Sequence, residues 1–460
     1  MSSGAIIRKD AAERARANLD NYAWTRHDFS WARARSWLGG LPHGHGLNIG
    51  YEAVDRHALS ARRDRVALRF PASGRAPAEL TYTDLHRATN RFANLLGDLG
   101  VRLDERVFVL LDATPESYVA ALATTRFGAV LATLPAGRAA EAPRCVAASE
   151  PALVVTSPEL YDRYLAPVRS HLPAVRHVLL AGDVDDLGAA LHKMPADFTV
   201  PPTAPQWPAM VHFTAGTRGR VSGVVHPHEA IVAQVASATY ALDLHDDDTL
   251  AVSVPAGRLT HTAYGMIAPL ARGITVAVEA GPAAFPRDKR VSVWYAPAGP
   301  LNRLAGDGLT HLLPPSLRLI VAEGGGLLPG TVAGSRSSLG HTVHDTWWQT
   351  ETGAILISNY AGLDVRPGAM GLPLPGVRAA VVRRRGPGRI ETIATPDVVG
   401  ELAIRAGWPS MFQGYLDDPA RTAECFADGW YLTDDLVSRD ADGYYWSAGR
   451  RPVTRPPGPR

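Results

Sequence analysis

A chain of 460 residues with 46% apolar content can hold two or three domain-sized units with large cores. Its formal charge of +2 leaves no electrostatic footprint for nucleic acid or an acidic membrane surface, so neither is expected as a partner. Cysteine occurs only at Cys145 and Cys425, too few for an oxidised scaffold or a zinc site, which suits a reducing compartment. The first 20 residues are charged and lack the apolar stretch of a signal peptide. The apolar region 107–135 is interrupted by Asp112, Glu116 and Arg126, which argues against a membrane span. The expectation is a soluble, cytoplasmic protein.

Residues 1–50 read as an Arg- and Trp-rich extension of short helices with a Gly/His turn. His43 and His45 in that turn have no Cys or carboxylate nearby to complete a metal site. A helix start follows at 48–58. Between 51 and 210 strands at 66–70, 80–82, 107–111, 130–134, 153–155 and 178–180 alternate with helices. Thr83 is the expected cap of a helix running to Leu99, and a second helix, 116–127, ends at Gly128. Strands that are apolar throughout, separated by helices, predict a parallel sheet covered on both faces. Residues 195–208 are a Pro-rich connector.

Three stretches carry candidate chemistry. The first is Val211-His212-Phe213-Thr214-Ala215-Gly216-Thr217-Arg218-Gly219-Arg220-Val221-Ser222-Gly223. Gly216, Gly219 and Gly223 let the backbone approach an anion, and successive amides of such a loop can cradle phosphates, although most such loops are plain turns. The second is His344-Asp345-Thr346-Trp347-Trp348-Gln349-Thr350-Glu351-Thr352-Gly353. Its adjacent Trp residues point to opposite faces of an extended segment, and polar side chains crowd both. Glu351, between two Thr and before a Gly, can complete the shell of a Mg²⁺ carried by a triphosphate; the plain alternative is a strand end with a solvated Glu. The third is Gly429-Trp430-Tyr431-Leu432-Thr433-Asp434-Asp435-Leu436, an acidic turn. Beyond 376 the strands 378–382 and 399–404 suggest an antiparallel unit, with Arg383-Arg384-Arg385 as a solvated hairpin tip.

The order of these stretches resembles the adenylate-forming enzymes, in the version of the short-chain acyl-CoA synthetases (acetyl-CoA synthetase type), over about residues 15–451. The resemblance implies an α/β fold, the large N-terminal domain of that family, with two α/β subdomains of mostly parallel sheets and a smaller β subdomain. The units fall at 51–210, 211–375 with the nucleotide site, and 376–450, followed by a Pro/Arg tail at 451–460. It further implies activation of a small carboxylic acid by ATP, release of AMP, and transfer of the acyl group to coenzyme A. Thr214, Thr217, Thr350 and Glu351 would be catalytic, with Glu351 also the Mg²⁺ ligand. Nucleotide binding would fall to Gly216, Gly219, Gly223, Glu323, Gly324, Gly325, Gly326, Asp345, Thr346, Trp347, Gln349, Thr350, Asp435 and Arg450. Leu259, Thr260 and Trp348 would form an acyl pocket sized for acetate or propionate.

The chain departs from the family pattern Thr-Ser-Gly-Thr-Thr-Gly-x-Pro-Lys-Gly: Ala215, Arg218, Val221 and Ser222 stand for Ser, Thr, Pro and Lys. Arg258 and His261 stand where the family has Trp and Gly, Ala322 and Gly324 where it has Gly and Pro, and Asp434 where it has Gly. After Arg450 the pattern stops, and Pro452 replaces the hinge Asp. The family carries a mobile lid domain of roughly a hundred residues from that point, and the expectation from this sequence is a chain without it. The resemblance therefore implies adenylation that is impaired or completed by a C-terminal domain or pathway protein on a separate chain. The alternative is a catalytically silent relative that binds nucleotide or acyl-adenylate, or serves as a protein partner.

Overall fold

The computed structural model describes residues 6–71, 79–182, 186–215, 221–279, 285–304, 309–386 and 388–452. Capping chemistry sets the helix boundaries. The helix Tyr82–Asp98 begins on Thr81, whose hydroxyl accepts from the Asp84 amide while the Asp84 carboxylate accepts from the Thr81 amide. The cap expected at Thr83 therefore lies two residues too late; Thr83 instead donates its hydroxyl to the Arg63 carbonyl. The helix Pro115–Phe127 starts on Thr114 and stops at Gly128, whose φ of +91° needs no side chain. Residues 51–58 form a wide helical turn, Tyr51–Asp55, leading into Arg56–Ala58.

The strands sort into two sheets. The smaller has seven, in the spatial order Gly414–Tyr415, Val221–Pro227, Pro208–Ala215, Val130–Thr133, Arg106–Leu110, Leu153–Thr156 and His177–Leu180. From Pro208–Ala215 to His177–Leu180 all neighbours are parallel. The larger sheet has a parallel half, ordered Val66–Arg69, Thr275–Ala277, Thr249–Val252, Val293–Pro297, Leu319–Glu323 and Val343–Trp347. It continues without a break through Ile357–Ser358 and Ala369–Pro373 into antiparallel strands that reach Ala379–Gly386. Pairing thus interleaves the chain: Val66–Arg69 lies beside Thr275–Ala277, and Val221–Pro227 joins the smaller sheet.

Buried apolar residues from both sheets and their helices merge into one core, with smaller clusters behind each sheet. Arg126 is fully buried and paired twice with Asp55, at 2.7 and 2.6 Å, with Thr89 and Asn90 taking further guanidinium donors. Such a satisfied buried pair fixes how the helix Pro115–Phe127 sits against its neighbours. Both cysteines are free thiols, and among the described residues no helix is long and apolar enough to cross a membrane.

The arginine triple lies beside a hairpin tip, as expected, where the strand Ala379–Gly386 turns back into Arg389–Thr392, but one of the three is not solvated. Within that strand the two-residue period exposes Arg383 and Arg385 but turns Arg384 inward. Arg384 makes two bonds, 2.7 and 2.6 Å, to the buried carboxylate of Glu401, which needs a cation once it leaves water.

Candidate functional site

In parallel sheets the chain leaves each strand at its carboxyl end into a loop, and ligands bind where those ends face a common crevice. Here the carboxyl ends of both sheets meet at one cavity of about 980 Å³. Thr214 reaches it from Pro208–Ala215, and residues 255–260 from the loop after Thr249–Val252. Glu323 and Gly324 come from the end of Leu319–Glu323, and residues 348–351 from the end of Val343–Trp347.

The segment 347–353 is held by hydrogen bonds from uncharged side chains, two of them ending on the Asp435 carboxylate. Gln349 accepts from the Tyr431 hydroxyl (2.7 Å) and donates to the Thr433 carbonyl (2.9 Å) and the Asp435 carboxylate (2.8 Å). Trp347, buried at the strand end, donates its indole N–H to the same Asp435 oxygen at 2.9 Å. The Thr352 carbonyl accepts from Trp408 and Ser410. Gly353, at φ +71°, passes so close to Ser410 that a β-carbon would stand 2.1 Å from its carbonyl oxygen. Behind it lies His226, which burial keeps neutral down to about pH 4. This frame presents Thr350 and Glu351 to the cavity.

At the cavity wall formed by Leu259, Thr260 and Trp348, the Trp348 indole N–H donates to the Tyr295 hydroxyl at 3.1 Å. The Thr346 hydroxyl gives its proton to the Ala322 carbonyl (2.7 Å), so Tyr295 donates to Thr346 at 3.2 Å. Tyr264 stands edge-on to both Trp348 and Tyr295. The Glu323 carboxylate accepts from Thr260 and pairs with Arg258 at 3.3 Å. His261, at a position where a tunnel could be obstructed, is absorbed by packing: it lies edge-on to Tyr118 and bonds its hydroxyl at 3.1 Å. His212 faces the cavity as a neutral imidazole bonded to Thr262 at 3.0 Å; burial depresses its pKa to about 3, so it carries no charge at neutral pH.

Asp435 does not line the cavity. Its carboxyl, pushed up by burial, is tied to Trp347 and Gln349 and pairs with Arg450 at 3.5 Å; Arg450 itself does face the cavity. Asp434 adopts φ +59°, the left-handed conformation that glycine enters most easily. Its carboxylate is answered by Arg384 at 3.1 Å and Arg451 at 2.7 Å, which offset the adjacent like charge.

Of the residues singled out in the sequence, Thr214, Leu259, Thr260, Glu323, Gly324, Trp348, Gln349, Thr350, Glu351 and Arg450 line the cavity. Asp345, Thr346 and Trp347 belong to the strand beneath it, and burial raises the Asp345 carboxyl to about 7. Gly325 and Gly326 turn the chain at φ +81° and +84° beside the site. Gly223 serves strand packing: a β-carbon there would meet Val211 at 2.9 Å. Gly216, Thr217 and Gly219 lie outside the described residues.

Tyr415, Arg421 and Cys425 also line the cavity, although none of the three singled-out stretches contains them. The Tyr415 hydroxyl donates to Glu351 at 2.7 Å, Arg421 lies over the Tyr415 ring at 3.9 Å, and Cys425 stands 4.0 Å from the Tyr415 hydroxyl. The Cys425 thiol, raised to about 11 by burial, is protonated at neutral pH. Among the described residues no cluster of three or more acidic, His or Cys side chains could hold a metal. Glu351 alone fits Mg²⁺, which takes one or two carboxylates and fills its shell with water and substrate phosphates.

The family described as AMP-binding enzyme matches residues 54–416. An acetyl-coenzyme A synthetase of Bacillus subtilis is 33% identical over 452 residues, spanning 94% of this chain and 77% of the relative. One of Leptospira biflexa is 31% identical, spanning 93% and 72%. Among solved structures, an acyl-CoA synthetase of Brucella canis superposes with a TM-score of 0.77 at 26% identity, covering 94% of this chain and 80% of that one. The anthranilate CoA ligase AuaEII, solved with anthranoyl-AMP, shares the fold with a TM-score of 0.79 at 22% identity, covering 88% and 77%.

Proposed function

The chain belongs to the AMP-binding enzyme family, as an acetyl-CoA-synthetase-like member, and from that premise we propose that it adenylates a carboxylic acid of two or three carbons. The observation that carries this reading is a single cavity joining Thr350 and Glu351 to Leu259, Thr260 and Trp348. A nucleotide and a small acid fit such a volume, with the indole of Trp348 limiting the acid's length. An oxygen of the acid attacks the α-phosphorus of ATP. The new O–P bond forms as the bond to the bridging oxygen breaks, and pyrophosphate leaves with the electron pair. Coenzyme A sulfur then attacks the acyl carbon, its proton is lost, and AMP departs.

In this reading Thr214 and Thr350 offer hydroxyls to the α-phosphate, and Arg450 lies against the nucleotide. Glu351 would hold Mg²⁺, which when bound would neutralise phosphate charge. His212, its pKa lowered to about 3, is a weak base and Cys425, raised to about 11, a weak acid, so neither is matched to proton transfer at neutral pH. The acid's own carboxylate needs no base, so positioning and electrostatics do the work.

Acetate-dependent exchange of labelled pyrophosphate into ATP tests the proposal, because it reads adenylation without the coenzyme A step. The wild type should exchange label only when acetate is present, and Glu351→Gln should lower the rate by about a hundredfold or more. Folded wild-type protein that exchanges nothing above the Glu351→Gln level overturns it.

A further inference from the structure

The phosphate-binding loop of this chain has Ser222 where the resembling pattern carries lysine, yet the structure delivers a cation to that place from elsewhere. Arg421 belongs to the short helix Pro419–Glu424, which Asp418 caps by accepting from the Arg421 amide at 3.1 Å. Its guanidinium extends to the Ser222 hydroxyl and lies over the Tyr415 ring, 3.9 Å from the centroid. The same Tyr415 donates to Glu351 at 2.7 Å, so one aromatic ring separates the guanidinium from the candidate metal carboxylate.

Charge pairing sets Arg421 apart. Three other described arginines that line the cavity each face a carboxylate: Arg138 with Glu141 at 2.7 Å, Arg258 with Glu323 at 3.3 Å, and Arg450 with Asp435 at 3.5 Å. For Arg421, among the described residues, the partners are a hydroxyl, an aromatic face and no carboxylate. A guanidinium has five N–H donors, and the hydroxyl takes few of them. A half-buried cation left unanswered on the wall of a cavity is suited to an anionic ligand, and its planar fork matches phosphate oxygens.

We propose that Arg421 binds the terminal phosphates of a nucleoside triphosphate, supplying from the helix Pro419–Glu424 the cation that the loop lacks at Ser222. The inference rests on the adenylation reading. Stacking on Tyr415 fixes the plane of the guanidinium, and Ser222 anchors one edge of it. The remaining donors then serve the β- and γ-phosphates, and the same contact holds pyrophosphate as it leaves.

Calorimetric titration of ATP with Mg²⁺, of AMP, and of inorganic pyrophosphate tests this on wild type, Arg421→Ala, Arg421→Lys and the double variant Arg421→Ala/Ser222→Lys. Arg421→Ala should weaken ATP and pyrophosphate by about tenfold or more and leave AMP within about twofold. Arg421→Lys should fall between, and the double variant should regain most of the ATP affinity, which a merely structural role would not allow. ATP bound by Arg421→Ala as tightly as by wild type overturns the proposal while the adenylation reading stands. Loss of AMP together with ATP also overturns it, since Arg421 would then be holding the fold. Wild type that binds neither nucleotide removes the adenylation reading and this inference with it.

Discussion

Around Glu351 the chain is held mostly by hydrogen bonds of uncharged side chains packed into the core, whereas around Asp434 it is held by ion pairs close to water. Trp347, Trp348, Gln349 and Thr352 bond to Asp435, Tyr295, Tyr431, Thr433, Trp408 and Ser410 through partners that are mostly buried. Removing any one strands a donor or acceptor away from water, which costs about 1–3 kcal/mol. Asp434 and Arg451 remain 49% and 41% exposed, so their ion pair contributes little and can be rebuilt with other ions. The segment at Glu351 rests on buried partners, while the charged corner carries an Asp at a glycine conformation and answers it with two arginines.

Acid should separate the two regions most strongly. Burial lowers the His226 pKa from 6.5 to about 4 behind Gly353, and that of His212 to about 3. A folded-state pKa below the unfolded one contributes stability that is fully present above about pH 6.5 and is lost as pH falls towards the folded value. His226 alone should therefore withdraw roughly 3 kcal/mol between pH 6.5 and 4. Denaturant unfolding across that range should show a smaller pH slope in His226→Gln than in wild type; equal slopes would place the acid sensitivity elsewhere.

Tyr295→Phe comes next. It leaves the Trp348 indole N–H without its partner and should cost about 2 kcal/mol, with little dependence on salt. A loss that shrinks in 1 M salt would contradict the assignment of this contact to uncharged partners.

The smallest effects belong to Asp434. Asp434→Ala keeps the φ of +59° and removes the pairs with Arg384 and Arg451, so it should be less stable than Asp434→Gly by about 1 kcal/mol. Asp434→Gly should match wild type within about 0.5 kcal/mol, because relief of the backbone offsets the lost pairs. Repeating the melts at high salt should narrow the gap between wild type and both variants; a gap indifferent to salt would make the corner a packing site.

Much of the local structure was legible. The turn at Gly128 and the apolar strands 107–111, 130–134 and 153–155 follow from short-range chemistry and match the elements found within a residue or so. The cap at Thr81 was missed because Thr81 and Thr83 are equivalent in type, and only the Asp84 carboxylate three residues on selects the first. Arg384 was misread because a run of arginines looks solvated until strand pairing sets Glu401 beside it. Arg421 lies outside the three stretches singled out in the sequence.

From its own order of residues this chain determined its element types, its family and the segment that presents Thr350 and Glu351, since each depends on neighbours within a few positions. Only the tertiary structure decided which strands pair, such as Val66–Arg69 with Thr275–Ala277, and which distant side chains meet Glu351. Strand pairing and the meeting of Ser222 with Arg421 are settled by burial of surface across the whole fold, a quantity that no local spacing records.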